Sequence, residues 1–110
     1  MASKPQVLAI VASAPEHFRS DFLKWLDENF HVYNEFERRA QTLHIRGRAH
    51  YGARALWESM RFDSAIGELK GEFKLNDHRP PDVARLCMLA NPPMKGMFET
   101  RSSPLSRRII

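Results

Sequence analysis

The sequence predicts a single, mainly α domain: four helices with a small β element, ordered like a helix-turn-helix or winged helix. Three observations predict it. Apolar residues recur at helical spacing in four separate stretches, residues 68–75 switch to strict alternation, and Gly or Pro stands at most of the joins. A length of 110 residues fits one domain, with enough chain for one core without disulfides or metal. A composition of 43% hydrophobic and 27% charged residues excludes wholesale disorder. The division this suggests is an N-terminal segment at 1–12 holding a candidate short strand, a helical domain at 13–101, and a basic tail at 102–110.

Val7 to Val11 is a continuous apolar run, compatible with a buried strand or a helix turn. Ser13, Pro15 and Glu16 form a helix-start signature. A first helix is expected from there to about Asn29, with Phe18, Phe22, Trp25 and Leu26 on its inner face. The second helix carries Val32, Phe36, Ala40 and Leu43 inward, with Glu35 and Arg39 as an i,i+4 pair and Gly47 as its stop. The third, about Gly52 to Phe62, buries Ala53, Leu56, Trp57 and Met60.

Leu69, Gly71, Phe73 and Leu75 then alternate with charged residues, which is strand periodicity. Asn76-Asp77 is a turn. Pro80-Pro81 opens a fourth helix with Val83, Leu86, Cys87 and Ala90 inward, and Pro92-Pro93 closes it. Met97 to Arg101 is a candidate second short strand. Trp57, Trp25 and the Phe residues read as core rather than as stacking platforms.

The net charge is +4 with a pI of about 9.6, and 12 Arg stand against 5 Lys. This balance permits a polyanionic partner. The arginines cluster. Arg38, Arg39, Arg46, Arg48, Arg54 and Arg61 lie in one window whose single acid is Glu58, with His50 and Tyr51 in the turn between the helices. Two amphipathic helices around a short turn, followed by a strand, is the order of a winged helix-turn-helix. The third helix would then bring Arg54 and Arg61 to the major groove, and Arg46 and Arg48 would contact phosphates.

An enzymatic alternative is a nuclease-like pattern of Asp63 followed by Glu72-x-Lys74, where carboxylates hold a divalent metal. It lacks the multi-stranded core that such sites use, so no enzyme is expected. His17, His31, His44, His50 and His78 show no metal spacing, and Asp77-His78 with Asp82 reads as a turn and a helix start. No cofactor motif is present. The single Cys87 excludes an internal disulfide and falls on an apolar stripe, where a buried, inert thiol is expected. The apolar run at 7–12 is too short for a signal peptide, and no stretch approaches the ~20 apolar residues of a membrane span. A cytoplasmic protein with no membrane partner is expected.

Three blocks resemble a known family. They are Gly52-Ala53-Arg54-Ala55-Leu56-Trp57-Glu58-Ser59-Met60-Arg61-Phe62, then Phe73-Lys74-Leu75-Asn76-Asp77, then Ala84-Arg85-Leu86 with Pro92, Gly96 and Phe98-Glu99-Thr100-Arg101. Together, over roughly residues 25–101, they resemble a family of small bacteriophage and prophage proteins. Members often have Ser in place of Gly52 and Trp in place of Phe62. The resemblance carries no activity and no site residues. It implies provenance in a bacterial host cell, where the partner is DNA or a host protein of defence, transcription or replication.

Overall fold

A computed structural model describes residues 1–71 and 73–98. The described chain holds five helices: α1 (Lys4–Ser13), α2 (Phe22–Glu28), α3 (Phe30–Ile45), α4 (Ala53–Ala65) and α5 (Pro80–Ala90), with 3-10 turns at Pro15–His17 and Pro92–Met94. The mainly helical expectation holds, and α3, α4 and α5 lie where their periodicity puts them.

The N-terminal third differs. The apolar run at 7–11 is helix, not strand. Ser3 and Gln6 form a capping box, with Gln6 N–H donating to Ser3 Oγ at 3.4 Å and Ser3 N–H to Gln6 Oε1 at 2.7 Å. Pro5 sits in the first turn, and Val7 and Val11, one turn apart, are buried. Ser13 starts no helix. Its hydroxyl donates backward to the Ile10 carbonyl at 2.9 Å and helps to end α1. Only one 3-10 turn follows Pro15 before Phe18 becomes extended, so the long first helix is reduced to α2. The Phe18, Phe22 and Trp25 rings still stack, at centroid separations of 5.3 and 5.6 Å.

Gly47 and Gly67 end α3 and α4 in the same way. Each has positive φ, +86° and +79°, which glycine adopts without steric cost. Behind Gly47, Arg48 N–H reaches the Leu43 carbonyl at 2.9 Å; behind Gly67, Glu68 N–H reaches the Asp63 carbonyl at 2.8 Å. Both are Schellman closures.

Among the described residues no strand forms. The alternation at 68–75 reflects burial without pairing, because no neighbouring strand offers a ladder. Phe73 and Leu75 pack against the core, and Arg61 donates to the Leu75 carbonyl at 2.9 Å. Met97 and Phe98 are buried without strand geometry, while Glu99 to Arg101 and the tail at 102–110 lie outside the described residues.

The core gathers Phe22, Leu26, Tyr33, Phe36, Trp57, Met60 and Leu86, all fully buried. One carboxylate lies among them. Glu37 accepts from the Tyr33 hydroxyl at 2.8 Å, the Asn91 amide at 2.8 Å and the Ala2 backbone N–H at 3.1 Å. Asn91 also takes a hydrogen bond from Gln41 at 3.1 Å and gives one to the Cys87 carbonyl at 2.8 Å. Burial pushes the Cys87 thiol well above its ordinary pKa, which leaves it an inert core residue.

Candidate nucleic-acid interface

The six clustered arginines separate into two groups. On α3, Arg39 is largely buried and bridges to α4. It donates to Glu35 at 2.6 Å, to Ser59 at 3.0 Å and to Asp63 at 2.6 Å. Arg38 grips the same Glu35 at 3.1 and 2.7 Å. Burial pushes the Glu35 carboxyl up, and the bonds from Arg38 and Arg39 outweigh it, holding the pKa below the ordinary value.

On α4, Arg61 pairs with Asp77 and, at 3.3 Å, with Glu58. Its hydrogen bond holds the Asp77 carboxyl below the usual carboxylate range. Arg54, 63% exposed in the first turn of α4, stands 4.0 Å from the same Asp77, a loose contact in water. Arg61 therefore ties residues 75–77 onto α4 and presents no free guanidinium.

The connection between α3 and α4 is different. Arg46, Arg48 and His50 are exposed, and among the described residues none has an ion-pair or side-chain hydrogen-bond partner. Lys95, also exposed and without such a partner, follows the second 3-10 turn. The two segments meet where Tyr51 N–H donates to the Met97 carbonyl at 3.0 Å. A cleft of about 550 Å³ opens there, lined by His50, Tyr51, Gly52, Gly96 and Met97. Sequence reasoning set Tyr51 beside His50 in the turn but missed Lys95, since nothing local links residue 51 to residue 97.

Asp63 is occupied by Arg39, and Glu72 of the nuclease-like pattern lies outside the described residues. Among the described residues no group of three or more His, Cys, Asp or Glu is placed to hold a metal. Asp77 and Asp82 are apart in role: Asp77 serves the α4 arginines, while Asp82 is buried in the first turn of α5, 3.4 Å from Arg85. Arg79 lies over the Trp25 ring at 5.3 Å and holds Asp21 with two hydrogen bonds of 3.1 and 2.9 Å. No described helix is long and apolar enough to cross a membrane.

Comparison with protein-family models, with curated proteins and with solved structures finds no match for this chain.

Proposed function

We propose that this protein is a small DNA-binding domain of helix-turn-helix type. It grips phosphates through the α3–α4 connection and offers the start of α4 to a groove. The observation that supports this reading is the unpaired state of Arg46 and Arg48, two exposed guanidiniums with no counter-ion among the described residues. Unpaired arginines release counterions on meeting a phosphate backbone without first breaking an internal ion pair. Arg54, loosely held at 4.0 Å, swings from Asp77 to a base edge. The segment at 73–77 is tied to α4 by Arg61 and follows it in the chain order that a wing would have. Arg38, Arg39 and Arg61 serve the fold.

Titration of labelled duplex at low salt tests this. Two phosphate contacts give a slope of log affinity against log salt of about −1.8. Absence of binding at micromolar protein overturns the reading.

A second reading, a protein that binds and blocks a host protein, is favoured by exposed apolar residues. Ile45 is 82% exposed beside Arg46, and Phe62 and Ile66 lie one turn apart at the outer end of α4. The phage-like resemblance supports the same reading. Stoichiometric recovery of one host protein after nuclease treatment, together with failure of the duplex titration, would transfer the assignment to it.

A further inference from the structure

The cleft at Tyr51 has a composition that a phosphate-gripping loop alone does not call for. Its lining includes the half-buried Tyr51 and, beside it, the exposed His50. Gly96 and the buried Met97 line it as well. A Cβ placed on Gly96 would meet nothing within 4 Å, so the space in front of it is open. No carboxylate is among the lining residues described. In sequence, Arg48 stands two positions before His50, Arg54 two after Gly52, and Lys95 directly before Gly96, all exposed. The bond from Tyr51 N–H to the Met97 carbonyl links the two segments that line the cleft.

We infer that this cleft is a pocket for an unpaired nucleobase, stacked on Tyr51, with the flanking phosphates on Arg48 and Lys95. An aromatic ring beside unpaired cations is the arrangement that holds single strands, because every base has a π-face and every linkage has a charge. The volume lies in the range of small-ligand sites and accommodates a base. An apolar side chain of a partner protein would fill the same space but would leave Arg48 and Lys95, the cations that flank the lining residues in sequence, without a counter-charge. The inference rests on the nucleic-acid reading above and narrows its ligand to a strand with at least one unpaired base, whether single-stranded DNA or a locally opened duplex.

Fluorescence anisotropy with a labelled oligothymidylate of about 15 nucleotides, and with a duplex of the same length, tests it on the full chain. The strand is expected to bind at least about tenfold tighter than the duplex. Tyr51→Phe, which keeps the ring, leaves strand affinity unchanged. Tyr51→Leu, which keeps apolar bulk without the ring, lowers it about 5- to 150-fold, the range of one lost base stack, with little change for duplex. Arg48→Ala weakens both ligands. A thermal melt establishes that Tyr51→Leu is folded. Independently of any variant, ultraviolet cross-linking of a bromouracil-substituted strand to the unmodified protein is expected to mark His50, Tyr51 or Met97. Equal binding of strand and duplex with Tyr51→Leu harmless, or a cross-link mapped elsewhere, overturns the pocket and leaves the duplex reading standing. Failure of both ligands at micromolar protein overturns both.

Discussion

Arg39 and Arg48 lie nine residues apart and have opposite circumstances. Arg39 is enclosed by Glu35, Ser59 and Asp63, and its charge is used within the fold. Arg48 projects from a loop with no such neighbour among the described residues. Both belong to one arginine cluster in the sequence. The comparison teaches that a run of like charges becomes an external field only where the chain does not bring acids back to it. Glu35, Asp63 and Asp77 do so for α3 and α4; no described acid does so for residues 46–50.

The largest expected effect lies on the structural side. Trp57 is fully buried between Trp25 and Phe36, and Trp57→Ala should cost about 3–5 kcal/mol in denaturant unfolding. A loss below about 1 kcal/mol would mean that the ring is not core.

Arg39→Ala should cost about 2 kcal/mol, because it strands the partly buried Asp63 and leaves Glu35 to Arg38 alone. Arg48→Ala should change stability by less than about 0.5 kcal/mol while flattening the salt slope on duplex by about one unit. Equal stability losses for the two variants would erase the distinction between them.

Asp82 gives a pH-dependent contrast. Burial pushes its carboxyl above the ordinary value, against the pull of Arg85, Arg19 and Arg79. A carboxyl with a raised folded-state pKa binds its proton more tightly when folded. Its contribution therefore favours the fold in acid and is lost as pH rises through the folded pKa. Asp82→Asn should remove that part of the pH dependence, and melting temperatures between about pH 4 and 7 compare the two proteins. A steeper decline in the variant would contradict this.

The smallest effect is expected at Asp77→Asn, which releases Arg54 and Arg61 while leaving the amide to accept a hydrogen bond. Duplex affinity should rise about two- to threefold at low salt and converge with the parent near 1 M, where screening is complete within a few ångströms. An unchanged affinity would remove α4 from the interface.

Much of the helical framework was legible. The stripes of α3, α4 and α5 repeat at 3.6 residues, and Gly47 marks its stop as predicted. The run at 7–11 hid its helical period by being apolar throughout, and the capping box of Ser3 and Gln6 is a finding of the structure. The alternation at 68–75 was read as pairing because a sequence does not reveal whether a neighbouring strand exists. Of the candidate site, Arg46, Arg48 and His50 are exposed and unpaired among the described residues. The pairing of Arg38, Arg39 and Arg61 was hidden because Glu35, Asp63 and Asp77 lie outside the window in which the charges were counted.

The Glu37 carboxylate has a consequence for motion. It receives hydrogen bonds from Ala2, Tyr33 and Asn91, three parts of the chain that are remote in sequence. Opening the start of α1 strips one donor from the buried Glu37 side chain, and opening the end of α5 strips another. Neither end therefore frays cheaply by itself, and backbone amides of α1 are set to exchange with solvent together with those of α5, in one cooperative unit with the centre of α3. The connection at 46–52 shares none of these bonds; its tie to the rest of the chain is the separate one from Tyr51 N–H to the Met97 carbonyl, so it stands outside that unit.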